Sequence, residues 1–205
     1  MPIESIVTLV IAMFVLAVLP GPGTLAVASH SLSFGFRSSA PMIAGIVLGD
    51  LLFLLLAISG LSALAIVLGE LFTAIRMLGA AYLVWLGINL WRAPAPTDEN
   101  QWSKKRRAPG QTFLSGLLLT LGNPKVILFY AGILPTLLDL NELTAASAAT
   151  AAVVVSSVLS LVLAAYSLFA ARAGNLWKSS AARRNVNRGA GALMIGTGVT
   201  IALKN

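Results

Sequence analysis

Hydrophobic residues in this chain lie in long runs, and most polar residues fall in the short segments between them. A helix needs roughly 20 apolar residues to cross a bilayer, and most of these runs reach or exceed that length. We interpret six runs as membrane-spanning helices. Their approximate bounds are 3–34, 40–68, 71–91, 112–138, 143–171 and 189–203. The pattern therefore predicts an all-α membrane protein with six transmembrane helices.

The first and fourth runs are each interrupted by residues that a membrane helix tolerates poorly. Proline removes a backbone donor and clashes with the preceding turn, so a helix opens where it occurs. Lipid offers no hydrogen bonds, and opened backbone at this depth is tolerated only where protein buries it or where it lines a cavity. We therefore predict that helices 1 and 4 are broken. The first break is Pro20-Gly21-Pro22-Gly23 and the second break is Gly122-Asn123-Pro124-Lys125.

The two breaks occupy corresponding places in the two halves of the chain. Paired interruptions of this kind are typical of the binding site of a secondary transporter. A pair of ordinary proline kinks is the alternative. The residues that we predict to bind substrate or to act as a gate are Pro20, Gly21, Pro22, Gly23, Asn123, Pro124 and Lys125.

One polar segment, residues 93–110, divides the chain into two halves. It combines prolines, acidic residues and a run of four basic residues, a composition that cannot bury a core. Three runs precede it and three follow, so the second half enters the membrane from the opposite side and the halves can form an inverted repeat. We expect one transmembrane domain, 1–205, with a first three-helix repeat over 1–92, a cytoplasmic linker over 93–110 and a second repeat over 111–205.

Composition supports the membrane class, and the distribution of charge predicts the orientation. Charged residues make up 10% of the chain, whereas soluble domains carry about 25%. The net charge of +7 would suit a nucleic-acid partner, but most Lys and Arg residues lie in segments 36–39, 92–110 and 172–188. Basic loops stay in the cytoplasm. We therefore expect these three loops to be cytoplasmic, both termini to lie outside, and no nucleic acid to bind.

Asp50 is the acidic residue that lies deepest in a predicted span. It follows Ala40 by about ten residues, which places it roughly 15 Å into the membrane. A charge there costs at least about 2.5 to 3.5 kcal/mol, so the carboxylate needs a cation or a proton. Arg76, on the adjacent span, and Lys125 are the basic residues placed to reach it. We predict that Asp50 couples proton movement or forms a buried ion pair, with Arg76 favoured slightly over Lys125 as its partner.

Lys125 could present its ammonium to the carboxylate of a substrate, while opened backbone carbonyls near either break could receive a substrate ammonium. A zwitterion suits that arrangement. The alternatives are that Lys125 extends to the membrane interface or simply pairs with Asp50. Asn123 precedes a proline and could cap the half-helix that starts after it.

Gly45 and Gly49 form a GxxxG pattern in the second span. Small residues at this spacing let two helix backbones approach closely. The pattern favours close packing within the bundle over a dimer interface, and a homodimer stays open.

The sequence lacks the residue patterns that enzymes commonly use for catalysis. There is no cysteine, His30 is the single histidine, and neither HExxH nor GxSxG occurs. Nucleophile and base pairs and metal clusters are therefore missing. We expect no catalytic residue, no bound metal and no cofactor. A cation carrier would need several intramembrane carboxylates, whereas the spans offer Asp50.

Motifs spread over nearly the whole chain occur in the order that one known family shows. With them the chain resembles the LysE-type amino-acid exporters, which include the homoserine and threonine efflux proteins. The family commonly has Asp after Pro-Gly-Pro, where this chain has Gly23. The motifs are Pro20-Gly21-Pro22-Gly23, Gly35-Phe36-Arg37, Gly45-Ile46-Val47-Leu48-Gly49-Asp50, Leu78-Gly79-Ala80-Ala81-Tyr82-Leu83 with Leu86-Gly87, Asn123-Pro124-Lys125 and Leu134-Pro135.

The resemblance implies export of amino acids or close derivatives across a bacterial inner membrane, driven by proton motive force in the manner of an antiporter. The implied partners are an amino-acid substrate and the lipid bilayer. The family does not share one substrate, so the resemblance does not choose among basic, neutral and branched amino acids. A channel or a carrier for another small solute or ion is the alternative, and uphill movement of substrate would exclude a channel.

Overall fold

The computed structural model describes most of the chain, and every regular element in the described residues is helical. This agrees with the all-α class that the hydrophobic runs predict. Arg76 and much of the third predicted span lie outside the described residues, as does the linker from 93 to 107. The described residues are 1–59, 77, 80, 81, 84, 85, 87–89, 91, 92, 108–138, 144–176 and 180–203.

The described elements are eight α-helices, one 3₁₀ turn and one π-helical segment. The helices are α1 (Ile3–Val18), α2 (Pro22–Phe34), α3 (Ala40–Ile58), α4 (Pro109–Leu121), α5 (Pro124–Leu128), α6 (Leu134–Leu137), α7 (Ala145–Leu176) and α8 (Ser180–Leu203). A 3₁₀ turn, Phe36–Ser39, leads into α3, and a π-helical segment, Phe129–Ile133, joins α5 to α6.

Broken helices occur at the two places that the prolines predict. The axes of α1 and α2 differ by 59°, and those of α4 and the α5–α6 segment differ by 50°. By length and composition, two described helices can cross a membrane, or up to four if each bent pair is one span. The predicted breaks in the first and fourth hydrophobic runs are therefore confirmed.

The predicted basic loop over 172–188 is wrong, because this segment is largely helical. α7 continues to Leu176 and α8 begins at Ser180, so at most residues 177–179 separate the two helices. Hydropathy reports where a helix leaves the membrane and not where it ends, and Ala and Arg are strong helix formers. α4 starts at Pro109, a position where the missing N–H of proline costs nothing.

Glycines bring α3 and α4 into backbone contact. A Cβ atom at Gly45 would lie 2.0 Å from the Phe113 carbonyl oxygen, and one at Gly116 would lie 2.1 Å from that of Met42. No side chain fits in either place. Gly49 faces the same helix, so the predicted use of the Gly45 and Gly49 pair for packing within the bundle is confirmed.

The first broken helix, α1 with α2, packs against α7. The described helical residues between 77 and 92 pack against α8. In the second contact, a Cβ at Gly87 would lie 2.7 Å from the Gly191 carbonyl oxygen, and the reverse distance is the same. α2 also contacts α7 through hydroxyls. Ser31 Oγ lies 2.5 Å from Ser39 Oγ and 2.6 Å from Ser167 Oγ.

Two apolar clusters fill the interior. The first apolar cluster contains Leu9, Met13, Leu16, Phe53, Leu54, Ala57, Val126, Phe129, Tyr130, Leu134, Leu138, Ala151 and Val155. The second apolar cluster contains Ala17, Ala26, Val27, Met42, Ile46, Ala80, Leu119, Leu159, Val162, Leu163 and Met194. Consecutive residues of α1, Leu16 and Ala17, belong to different clusters, so the boundary between the clusters falls at the end of α1 beside the first break.

Candidate functional site

The first break is built by proline and closed by a threonine. α1 ends at Val18, the chain runs extended through Leu19 and Gly21, and Pro22 starts α2 at its first position. The Gly21 N–H donates to Thr24 Oγ1 over 2.7 Å, and the Thr24 hydroxyl lies 2.9 Å from the Gly21 carbonyl oxygen, to which it donates. Thr24 therefore caps α2.

The carbonyl groups that α1 leaves unpaired at its end receive donors from the second half of the chain. Lys125 Nζ donates to the carbonyl oxygens of Leu16 and Leu19, each over 2.8 Å. The Tyr166 hydroxyl, on α7, donates to the Val18 carbonyl oxygen over 2.7 Å. A helix end within a membrane needs such partners, because lipid supplies none.

The second break follows the same plan with a different cap. The Lys125 N–H donates to Asn123 Oδ1 over 3.1 Å, and Pro124 occupies the first position of α5. The predicted capping role of Asn123 is confirmed by this geometry. The Lys125 side chain then extends from the second break to the first.

The Lys125 ammonium therefore lies at the C-terminal end of α1, where the aligned peptide dipoles concentrate negative potential. Lys125 is half-buried and close enough to Asp50 for the two charges to interact. The two described hydrogen bonds of its ammonium both go to backbone carbonyl oxygens. Lys125 thus links the two breaks directly, a contact that the sequence alone did not reveal.

Asp50 projects from the middle of α3 into this region and is 2% exposed. Its Oδ1 atom has no hydrogen-bond partner among the described residues. The Lys125 ammonium and the Tyr130 hydroxyl both lie near this carboxylate. The Tyr130 hydroxyl also lies 3.9 Å from Met13 Sδ. The predicted pairing with Arg76 involves a residue outside the described part of the chain.

A cavity of about 30 Å³ lies between these groups. Five of the predicted site residues line it together, namely Gly21, Gly23, Asp50, Asn123 and Lys125. Pro20, Pro22 and Pro124 do not line it, and they act through the backbone. The remaining lining residues are Leu16, Ala17, Thr24, Ile46, Thr120, Val126, Leu159 and Leu163.

Sequence reasoning missed the two threonines of the cavity and the two tyrosines beside it. Thr24 lies two residues after Pro22, and a hydroxyl within the first turn of a half-helix is a capping signal that could have found it. Tyr166 gave no local signal, because its partner, Val18, is 148 residues away in the chain.

The described residues contain no group of three or more His, Cys, Asp or Glu that could hold a metal ion. Polar groups of the cavity are one carboxylate, one ammonium, two hydroxyls and one amide, with backbone carbonyls at both breaks. Such a set can bind a small solute that carries both charges.

Helices of membrane length that break in pairs around a polar cavity are typical of membrane transport proteins. The chain belongs to the LysE type translocator family, whose model matches residues 14–205. The resemblance that its motifs indicate is thereby confirmed, and the chain is a translocator of a family that includes amino-acid exporters.

Relatives in several bacteria support the same assignment. An uncharacterized membrane protein of Synechocystis sp. is 36% identical over 204 residues, which cover 98% of this chain and 97% of that protein. A leucine efflux protein of Enterobacter sp. is 32% identical over 79% of this chain and 75% of its own length. The leucine efflux protein of Klebsiella pneumoniae is 33% identical over 66% of this chain and 64% of its own length. No solved structure matches the chain.

Proposed function

We propose that this protein is a secondary transporter that exports amino acids across the bacterial inner membrane, with a binding site between the two breaks. The observation that carries the proposal is the pair of hydrogen bonds that Lys125, in the second break, donates to the Leu16 and Leu19 carbonyls at the first break, beside the buried Asp50. One site thereby offers a cation for a carboxylate, and carbonyl oxygens for an ammonium. Family membership and the relatives named for leucine efflux favour an amino acid as the solute.

We further propose that the transmembrane domain spans 1–205 and contains six helices arranged as two inverted three-helix repeats, with 93–110 as the linker. Exchange of the two halves maps the packing of α3 on α4 onto that of α7 on α1, and it maps the contact of the described residues between 77 and 92 with α8 onto itself. The two bends, 59° and 50°, are also similar. In this arrangement the basic segments lie in the cytoplasm and both termini lie outside.

Leucine is the first substrate to test. Six of the cavity-lining residues are aliphatic, and these side chains can contact the side chain of leucine while the charged groups bind its ends. The cavity volume of about 30 Å³ suits water better than an amino acid. Transport therefore requires the helices to separate. They separate alternately, on the side of the first apolar cluster and then on the side of the second apolar cluster, which is alternating access.

Asp50 is the group that we propose to couple export to the proton gradient. A buried carboxylate without a hydrogen-bond partner on Oδ1 is costly when charged, so proton uptake stabilises it in the closed cavity. The positive charge of Lys125, which lines the same cavity, favours the charged form. Export driven by the inward proton gradient then requires antiport: proton uptake by Asp50 from outside favours substrate release there, and proton loss to the cytoplasm favours substrate binding.

The test is efflux of labelled leucine from cells that carry the protein, with and without a protonophore. We expect loaded cells to export leucine against its concentration gradient, and we expect the protonophore to abolish uphill export. Export that only follows the concentration gradient and ignores the protonophore would favour the channel. No movement of any tested amino acid would contradict the proposal.

A further inference from the structure

We propose that the Leu16 and Leu19 carbonyl oxygens form a binding site for a primary ammonium group, which we call the ammonium cradle, and that Lys125 occupies it as an internal stand-in for the ammonium of the substrate. The amino-acid substrate in this proposal rests on the proposed function. The cradle itself rests on the geometry of Lys125.

The geometry of the cradle matches an ammonium ion. Lys125 Nζ lies 2.8 Å from each of the two carbonyl oxygens, the distance of a strong charge-assisted hydrogen bond. The Leu16 oxygen belongs to the last turn of α1 and the Leu19 oxygen follows directly at its C-cap, where the helix dipole adds to their negative potential. Gly21 closes one side. A Cβ there would lie 3.1 Å from Nζ and 3.4 Å from Cε of Lys125, so a side chain would crowd the bound ammonium.

The α-ammonium of an amino acid has the same three donors and single charge as the lysine head group. It can therefore take the same two hydrogen bonds. If it replaces Lys125, the cradle holds one positive charge before and after the exchange, so no uncompensated charge enters the buried site. The displaced Lys125 ammonium is then free within the cavity to bind the carboxylate of the same substrate. Displacement of Lys125 thus allows both ends of the zwitterion to bind, its ammonium in the cradle and its carboxylate at Lys125.

A purely structural account of Lys125 is that its ammonium only caps α1. In that account, removal of the ammonium destabilises the helix end and creates no new binding site. In the displacement account, its removal vacates a site for external amines. The two accounts therefore predict opposite changes in the binding of an amine that has no carboxylate.

The experiment measures binding of 3-methylbutylamine to purified protein in lipid nanodiscs by isothermal titration calorimetry. This probe carries the side chain and ammonium of leucine and lacks the carboxylate. We expect Lys125→Met to bind it about tenfold or more tightly than the wild type, because the internal competitor is gone. Equal or weaker binding by a folded variant, or binding by neither protein, would overturn the proposal. Lys125→Leu serves as a second replacement if the Met variant does not fold.

Two further variants separate the cradle from other sites for an amine. Asp50 could attract the probe once Lys125 is gone, so the double variant Lys125→Met/Asp50→Asn is also measured. Tighter binding that persists in the double variant supports the cradle, and its complete loss assigns the amine to Asp50 and overturns the proposal. Tyr166→Phe is the matched control, because it frees the Val18 carbonyl at the same helix end and leaves the cradle filled. It should bind the probe as the wild type does.

Failure of the cradle and failure of the proposed function give different results. Tighter amine binding by Lys125→Met without leucine export by the wild type would leave the cradle standing and remove the exporter. Leucine export without the change in amine binding would support the exporter and overturn the cradle. A probe with a hydroxyl in place of the ammonium, 3-methylbutanol, controls for apolar binding, and equal gains for both probes would overturn the proposal.

Discussion

The Nζ atom of Lys125 lies 2.8 Å from the carbonyl oxygen of Leu16, although 109 residues separate the two in the chain. One residue of the second break thus stabilises the opened backbone of the first. The two breaks are therefore parts of a single site, and a change at one affects the other directly.

Asp50→Asn should uncouple transport from the proton gradient without unfolding the protein. The amide fills the same volume and cannot bind or release a proton in its place, so the buried site no longer changes charge. In proteoliposomes we expect the variant to exchange labelled for unlabelled leucine at a rate near that of the wild type. A pH difference across the membrane should no longer drive leucine uphill.

Asp50→Glu is the matched control for coupling, because it keeps a titratable carboxyl group. It should retain some uphill transport. Uphill transport by Asp50→Asn that equals the wild type would instead assign Asp50 a structural role.

Replacement of Gly45 should destabilise the helix pair α3 and α4. A Cβ there would lie 2.0 Å from the Phe113 carbonyl oxygen, and backbone cannot move aside as a flexible side chain can. Overpacking of this kind costs about 1 to 3 kcal/mol. We expect Gly45→Ala to lower the thermal unfolding midpoint in detergent. Gly110→Ala is the control, because a Cβ at Gly110 meets no atom within 4 Å, and it should unfold near the wild-type temperature.

Thr24→Val should weaken the N-terminus of α2 and slow export. Valine has nearly the same shape but cannot accept the Gly21 N–H, and loss of a cap costs about 0.5 to 2 kcal/mol. Thr24→Ser keeps the hydroxyl and should restore most of the rate of labelled leucine efflux. Equal efflux by the Val and Ser variants would show that the cap has no part in transport.

Ser31→Ala should destabilise the contact between α2 and α7. Ser31 Oγ lies within hydrogen-bond distance of both Ser39 Oγ and Ser167 Oγ, and all three residues are buried. A buried polar group left without its partner costs about 1 to 3 kcal/mol. The thermal unfolding midpoint reports the change, and Ser59→Ala, at an exposed serine that bonds within its own helix, is the control. A Ser31 variant as stable as the control would contradict this account.

Local rules explain why much of the fold was predictable. Proline opens a helix wherever it occurs, so the sequence located both breaks, and the Asn before Pro124 indicated the cap that the structure shows. The Gly45 and Gly49 spacing likewise indicated close packing of α3. Each of these signals depends on a few neighbouring residues.

The parts that were missed depend on distant contacts or on helix length outside the membrane. Nothing near Tyr166 indicates that its hydroxyl meets Val18, and nothing near Lys125 selects backbone carbonyls over a carboxylate as its hydrogen-bond partners. The basic segment 172–188 was predicted as a loop because hydropathy falls there, but charged residues extend helices readily.

Solute counterflow in proteoliposomes tests the central claim most directly, namely that the paired breaks form an amino-acid site. Vesicles loaded with unlabelled leucine are diluted into labelled leucine, and uptake by the wild type is compared with that by Lys125→Met and by vesicles without protein. We predict transient accumulation of label by the wild type and a loss of about tenfold or more for the variant, because the substrate carboxylate loses its charge-assisted partner. Counterflow by a folded Lys125→Met that equals the wild type would contradict the account.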